Sequence, residues 1–92
     1  MFGSGPVMMA HIPGPKDLRG FPAARQAKPK TPIRGGGGLR RRWKDPDGTI
    51  YEWDSQHGHV EVYDARGNHR GGYDAGSGAK ISEADPARHV EP

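Results

Sequence analysis

Hydrophobic and polar residues alternate in short runs through the second half of the chain, and turn-forming residues separate these runs. The runs predict five β-strands, at residues 39–44, 49–54, 59–64, 69–74 and, more briefly, 79–82. Segments such as Asp-Pro-Asp-Gly and Ser-Gln-His-Gly fill the intervals and are typical of tight turns. Consecutive strands joined in this way form an antiparallel meander, which must twist to bury one face. We therefore predict an all-β fold, a small, strongly twisted antiparallel sheet of about five to six strands.

The first half of the chain lacks this alternation. Six prolines between positions 6 and 32 exclude a long helix, and residues 16–20 allow one helical turn at most. Four consecutive glycines at 35–38 predict a flexible hinge. We divide the chain into a linker or leader (residues 1–15), a basic, Pro/Gly-rich arm in extended or coil form (residues 16–38) and a catalytic β-sheet domain (residues 39–92).

One face of the predicted sheet is apolar. Side chains on a strand point alternately to its two faces, so the aromatic and valine residues of the central strands share a side. We expect this side to pack on a core whose members are Trp43, Tyr51, Trp53, Val60 and Val62. For Tyr51 the alternative is that its ring stacks on an RNA base.

The opposite face gathers acid–base groups. Asp54, His59, Glu61 and Tyr63 fall on it by the same alternation. If residues 55–58 form a four-residue loop, Asp54 lies across from His59. Glu61 then lies diagonally from Asp54, about 7–8 Å away between Cα atoms. Such spacing suits acid–base catalysis.

Composition limits the size of the core and the kinds of site. Glycine and proline make up 24 of 92 residues, and only 32% are hydrophobic, which is typical of partly disordered chains. Every Trp and Tyr lies beyond residue 42, however, so the second half can build a core. The absence of cysteine excludes a disulfide or a thiolate metal site. No run of residues is long or apolar enough for a transmembrane span or a signal-peptide core.

Charge divides the chain into a basic and an acidic half. Residues 1–44 carry ten Lys and Arg against one acid, whereas residues 45–92 carry four against ten. The basic half can hold a polyanion such as RNA. The candidate phosphate contacts are Arg40, Arg41, Arg42 and Lys44. The alternative is that these residues form a solvated edge strand, because edge strands favour charge.

The acid–base groups can be assigned to a metal-free cleavage of RNA. This reaction needs a base for the 2′-hydroxyl, an acid for the leaving 5′-oxygen and a cation for the phosphate, and it gives a 2′,3′-cyclic phosphate. Glu61 is the candidate base and His57 the candidate acid, although the two roles could be exchanged. Asp54 would orient His57 and raise its pKa, and we expect Asp54 and Glu61 to raise each other's pKa. Tyr63 could bond the phosphate or stack on a base.

Two other functions remain open at this point. Asp54, His57, His59 and Glu61 include a His-x-His pair with carboxylates, which suits Zn, Mn or Ni, so the domain could be a metal-dependent nuclease. The basic arm could also serve a non-catalytic module that binds RNA or the ribosome.

Residues 51–63, Tyr-Glu-Trp-Asp-Ser-Gln-His-Gly-His-Val-Glu-Val-Tyr, resemble the active-site stretch of the cytotoxic ribonuclease domain of cloacin and the rRNA-cleaving E-type colicins. The likeness covers about two-thirds of the chain, from Pro29 to His89. Its further matches are residues 29–32, the glycine run, residues 41–43, Gly67, His69, Gly71, Asp74, Asp85, Pro86 and Arg88.

This resemblance implies a set of functional residues and partners. The family's catalytic positions fall on Asp54, His57, Glu61 and Arg88, with Tyr63 in support, and no metal or other cofactor is expected. The implied reaction is one cut in 16S rRNA at the ribosomal decoding site, which stops translation. The implied partner is a small acidic immunity protein, apart from which the domain would be a monomer without membrane contacts. The domain would be exported within a larger toxin and act in the cytoplasm of the target bacterium.

The chain departs from the family in three places. The family has an acid where His59 stands, so the local charge differs. The family's C-terminus is rich in lysine after the arginine, whereas residues 89–92 of this chain have none. Residues 1–15 do not resemble the colicin linker, so the parent could be another kind of polymorphic toxin.

Overall fold

Six short strands form one antiparallel sheet in the computed structural model, which describes residues 11–92. The strands are β1 (Arg25–Ala27), β2 (Arg42–Lys44), β3 (Ile50–Asp54), β4 (His59–Tyr63), β5 (His69–Tyr73) and β6 (Lys80–Ser82). Their order in the sheet follows the chain, and every neighbouring pair is antiparallel. The predicted all-β meander is therefore confirmed. Residues 11–92 include no helix that could cross a membrane.

Aspartates begin four of the turns. Their carboxylates accept backbone N–H groups two to four residues further on, which satisfies donors that the turn would otherwise leave free. These residues are Asp45, Asp54, Asp64 and Asp74. The same turns contain Gly48, Gly58, Gly67 and Gly78 at positive φ, where a side chain would be strained. Asp54 is thus a turn-forming residue as well as a candidate site residue.

Strand β1 was not predicted, and it changes the role of β2. Residues Arg25–Ala27 of the basic arm pair with Arg42–Lys44 along their full length, so β1 is an edge strand and β2 an interior one. The predicted run at 39–44 forms a strand only from Arg42, because Leu39 instead bridges to Pro32. Residues 16–20 form bends and a turn instead of a helical turn.

The apolar face carries the main core. All five predicted members are buried there, and Leu18 and Ala24 from the arm join them. Phe21 packs its ring 4.7 Å from that of Tyr51, between centroids. Since residues 11–92 supply no helix to cover the sheet, the arm covers this face itself.

The division into linker, arm and sheet domain stays a prediction, but described residues of both the linker and the arm contact the sheet. The indole nitrogens of Trp53 and Trp43 donate to the carbonyls of Ile12 (2.7 Å) and Lys16 (3.1 Å). Residues 1–10 of the predicted linker lie outside the described part of the chain.

The polar face is covered by the C-terminal segment. Ile50, Tyr63 and Val90 form a second, smaller apolar cluster. Backbone bonds from His69 to Arg88 (3.2 Å) and from Val90 to Gly67 (2.9 Å) hold the segment beside β5. Arg88 is thereby brought to the acid–base face, 27 residues after Glu61 in sequence.

Candidate active site

Asp54 and His57 are joined at the turn between β3 and β4. Asp54 pairs with His59 across the strands, as predicted, and its Oδ1 accepts the N–H groups of Gln56 (3.0 Å) and His57 (3.2 Å). Its Oδ2 accepts from Nδ1 of His57 at 2.8 Å, which is the orienting contact expected from sequence. Because Nδ1 carries the proton of this bond, Nε2 of His57 remains for exchange with a substrate. The His57 side chain is 67% exposed, so a bound RNA can reach it.

The carboxyl of Asp54 is held in its ionised form. Burial raises the pKa of Asp54, but the hydrogen bonds from the His57 ring and from two backbone N–H groups outweigh burial and lower the pKa below its ordinary value. The expectation that Asp54 and Glu61 raise each other's pKa is therefore wrong for Asp54. Its nearest neighbours are hydrogen-bond donors, not the other carboxylate.

Glu61 lies deeper, on β4, between two imidazoles. Its Oε1 lies 2.7 Å from Nε2 of His69, and its Oε2 lies 2.5 Å from Nε2 of His59. Nη1 of Arg88 is 3.7 Å from Oε1. Burial raises the pKa of Glu61, but the two histidine bonds and the charge of Arg88 lower it overall. The expected rise is wrong here too, and Glu61 is a carboxylate at neutral pH.

His69 fixes Glu61 from the buried side, a contact that sequence reasoning missed. Nδ1 of His69 accepts the backbone N–H of Asp85 at 2.9 Å, so the proton sits on Nε2 and is donated to Glu61. The side chain of His69 is only 4% exposed. His69 was one of the positions that match the resembling family, which was a signal that it could belong to the site. Its contact with Glu61 was not predictable from simple alternation, because the pairing of β4 with β5 includes a bulge at Val62/Tyr63.

His59 stands between the two carboxylates. Besides its bond to Glu61, its Nε2 is 3.9 Å from Oδ2 of Asp54, and its ring lies 5.9 Å from that of His57, between centroids. Gly72, paired with Glu61, gives the ring its space, because a Cβ there would lie 3.0 Å from Nε2 of His59. Asp54, His59 and Glu61 each offer a ligand atom within 4.8 Å of the others, so these three could also hold a metal ion.

A cleft of about 400 Å³ opens beside this cluster. Its lining is basic, and it includes Arg34, which the sequence did not single out. The lining residues are Arg34, Arg40, Asp54, Gln56, His57, Asp85, Ala87 and Arg88. Arg88 lies over the ring of Tyr63, 5.9 Å from its centroid, and reaches both the cleft and Glu61. The structure thus brings Arg88 close to Asp54, His57 and Glu61, and their roles stay a prediction.

The predicted phosphate contacts separate into surface and buried groups. Arg40 lines the cleft, Lys44 is half-buried on β2, and Arg41 is exposed and donates to the carbonyl of Pro15 at 2.9 Å. Arg42 is wrong as a phosphate contact, since its side chain is 1% exposed and pairs with Glu52 at 2.6 Å. The reason is β1, which makes β2 an interior strand.

The two predicted tyrosines are also buried. Tyr51 belongs to the core and donates its hydroxyl to Asp45 at 2.9 Å, which confirms the core interpretation over base stacking. Burial raises the pKa of Tyr51, and Asp45 adds to the rise. Tyr63 is 1% exposed, so it cannot stack on a base. It supports Arg88 and lies 5.2 Å from the His69 ring, between centroids.

The fold and the site together define a small all-β domain that holds two carboxylates and three imidazoles beside an arginine-lined cleft. A family model described as Cytotoxic matches residues 12–91. The chain is 45% identical over 85 residues to cloacin of Escherichia coli, which covers 88% of this chain and 15% of cloacin. It is also similar to two Escherichia coli colicins over 83 residues, colicin-E6 (45% identical) and colicin E3 (42%), in each case over 86% of this chain and 15% of the relative.

The chain belongs to the Cytotoxic family, and it is a cytotoxic domain of the bacterial-toxin type found in bacteriocins. The chain spans about 15% of the length of these curated relatives, so it corresponds to one small part of each.

Proposed function

We propose that the domain is an endoribonuclease that cuts 16S rRNA at the decoding site of the bacterial ribosome and so stops translation. The observation that carries this proposal is that the Asp54-bound His57 and Arg88 line one basic cleft, and that Arg88 lies 3.7 Å from the buried carboxylate of Glu61. A base, an acid and a cation are the three groups that metal-free cleavage requires. Family membership supports the toxic outcome.

The geometry supports a specific course of reaction. The carboxylate of Glu61 takes the proton of the 2′-hydroxyl, and the 2′-oxygen forms a bond to phosphorus. The bond from phosphorus to the 5′-oxygen breaks, and His57 gives that oxygen its proton from Nε2. The products are a 2′,3′-cyclic phosphate and a 5′-hydroxyl. Arg88 stabilises the charge that builds on the phosphate oxygens, and Asp54 compensates the charge of protonated His57.

His69 is a positioning residue in this scheme. It donates to Oε1 of Glu61 from the buried side and is itself held by the backbone of Asp85. A carboxylate fixed in this way loses little orientational freedom when the substrate binds. Its depressed pKa keeps it in the basic form at neutral pH, at some cost in base strength.

The ribosome-binding surface is proposed to include the arginines of the cleft. Arg34 is exposed and lines the cleft together with the half-buried Arg40 and Arg88. Guanidinium groups at such a surface can bind phosphate oxygens of RNA. Affinity that rests on phosphate contacts weakens as salt rises.

We further propose that the domain is delivered as part of a larger exported toxin and acts in the cytoplasm of the target cell. Its proposed partner in the producing cell is a small acidic immunity protein, attracted by the basic surface. The domain would otherwise be a monomer and would need no cofactor. Co-expression with a neighbouring small acidic open reading frame should restore growth and yield a stable complex. Restored growth without any complex would contradict this part of the proposal.

The decisive experiment is to incubate the protein with intact ribosomes and map the rRNA ends by primer extension. We expect one discrete cut in small-subunit rRNA, formed equally well in EDTA. Loss of cleavage in EDTA, restored by a divalent ion, would support the second candidate, a metal-dependent nuclease, which the cluster of Asp54, His59 and Glu61 favours. Tight ribosome binding without any cut would indicate a non-catalytic module.

A further inference from the structure

We propose that Asp54, His59 and Glu61 form a zinc-binding site, and that a bound Zn²⁺ inhibits the domain by occupying its acid–base cluster. The inhibitory consequence rests on the proposed function, because it requires that Glu61 and His57 catalyse cleavage. The binding site itself rests only on the geometry and chemistry of the three side chains.

The three ligand atoms are nearly in place. Asp54, His59 and Glu61 each offer one ligand atom within 4.8 Å of the others, and Nε2 of His59 faces both Oδ2 of Asp54 and Oε2 of Glu61. Zinc binds nitrogen and oxygen at about 2.0–2.2 Å, which places the ligands of a tetrahedral site about 3.3 Å apart. The contact from His59 to Glu61 (2.5 Å) would open, and that from His59 to Asp54 (3.9 Å) would close. Both changes are below about 1 Å and require only side-chain rotation on facing strands.

Outer contacts already orient both carboxylates. His57 donates to Asp54, and His69 donates to the oxygen of Glu61 that is not the proposed ligand. Metal-ligating groups are commonly fixed by such second hydrogen bonds. The ligand side chains are 9%, 15% and 6% exposed for Asp54, His59 and Glu61. The site is therefore largely shielded from water, which strengthens attraction to a cation.

Charge and ligand type together select the metal. Asp54 and Glu61 bring two carboxyl groups to the cluster, and Nη1 of Arg88 lies 3.7 Å from Oε1 of Glu61. Arg88 opposes any cation, so a cation that also gains from nitrogen ligation is favoured over magnesium. Magnesium prefers octahedral oxygen ligands, whereas zinc accepts one imidazole and two carboxylates and leaves a fourth position open.

Inhibition follows from which atoms the metal uses. Oε2 of Glu61 contacts His59, whereas Oε1 contacts His69, so zinc bound to Oε2 would engage one of the two oxygens of the base. Oδ2 of Asp54 is also the partner of His57, so zinc would weaken the orientation of the acid.

The test is to titrate the full chain with zinc chloride by isothermal titration calorimetry and to record NMR spectra of its histidine rings. We expect one zinc per molecule, a shift of the His59 Nε2 resonance and no heat with magnesium chloride. His59→Gln should weaken zinc binding by at least about 10-fold. The matched control is His89→Gln, at an exposed histidine whose ring contacts Asn68, and it should bind zinc like the wild type.

A second variant keeps the test informative if His59→Gln fails to fold. His59→Glu retains an oxygen ligand and should lose the preference for zinc over manganese. Absence of zinc binding, or equal binding by wild type and both His59 variants, would overturn the inference and leave the proposed function standing. Zinc-dependent activation would instead retain the site and overturn the metal-free mechanism. Inhibition of ribosome cleavage by zinc, reversed by EDTA, is the expected result.

Discussion

Glu52 and Glu61 face each other directly across β3 and β4, yet their surroundings give them different roles. Glu52 is fully buried, and its Oε2 accepts from Nε and Nη2 of Arg42 (3.1 and 2.6 Å) and from Thr31 (2.6 Å). Glu61 is bound by two histidines, and its nearest arginine, Arg88, is 3.7 Å away. Like charges opposite each other destabilise a sheet, so each carboxylate needs its own positive or donating partners.

The type of partner indicates which of the two buried carboxylates can take part in catalysis. Arginine is always protonated, and two nitrogens of Arg42 donate to one oxygen of Glu52, so this buried pair cannot exchange protons and is structural. Histidine can gain or lose a proton near neutral pH, so Glu61 sits in surroundings that can exchange protons. The chain thus places a structural and a candidate catalytic glutamate side by side, distinguished by the type of their partners.

The largest expected effect comes from breaking the structural pair. Glu52→Gln leaves Arg42 buried without a full counter-charge, so we expect the free energy of unfolding to fall by about 3–5 kcal/mol. The matched variant Glu61→Gln keeps hydrogen-bonding capacity toward its histidines and should lose only about 1 kcal/mol. Urea unfolding at pH 7 measures both. Equal losses of unfolding free energy would contradict the assignment of a structural role to Glu52 and a catalytic role to Glu61.

The second-largest effect concerns the rate of cleavage, which should depend on Glu61 and not on Glu52. Glu61→Gln and His57→Ala should each slow ribosome cleavage by roughly 10²-fold or more, because each removes a proton-transfer group. Single-turnover rates, with ribosome binding measured in parallel, separate the chemical step from affinity. If Glu61→Gln cleaves at the wild-type rate, another group is the base. The Arg42–Glu52 pair should affect cleavage only through the amount of folded protein.

The register around the turn was predictable because it depends on local rules. Alternation in β3 and β4, with a four-residue loop between them, places Asp54 opposite His59 and within reach of His57. The same rules give the apolar core of the two central strands. Both results follow from residues within about ten positions of each other.

The remaining features depend on contacts between distant segments. Arg88 reaches Glu61 through a C-terminal segment held by an isolated bridge from Asn68 to His89, which has no periodic pattern. Arg42 was predicted to contact phosphate, or else to lie on a solvated edge, because β1, a three-residue strand in a proline-rich arm, carries no signal of its own. The pKa directions were wrong because spacing revealed the two carboxylates but not the donors between them.

The third effect concerns ribosome binding by Arg40 and Arg41, which differ in burial from their neighbour Arg42. Arg40 lines the cleft and Arg41 is exposed, whereas Arg42 is buried and paired with Glu52. Arg40→Gln with Arg41→Gln should therefore weaken ribosome binding without unfolding the protein. We expect about a tenfold loss of affinity at low salt and a salt dependence shallower by about one unit of slope per lost phosphate contact. The control is Arg66→Gln with Arg70→Gln, which removes the same charge outside the cleft lining. Equal losses in both double variants would indicate that only net charge matters.

The smallest effect concerns stability in acid. The folded-state pKa of Glu61 is lowered from its ordinary value of 4.5, so the stabilisation it contributes is complete above that value and is lost as the pH falls below it. Glu61→Gln has no group to titrate there, so its unfolding free energy should decline less steeply than that of the wild type between pH 5 and the acid limit. The pKa of Asp54 is also lowered, from 3.8, so Asp54 adds a loss of stability in acid to both proteins. Urea unfolding at closely spaced pH values compares the two slopes. Parallel curves would mean that the histidine bonds of Glu61 contribute nothing to folding, and that the site is arranged for catalysis alone.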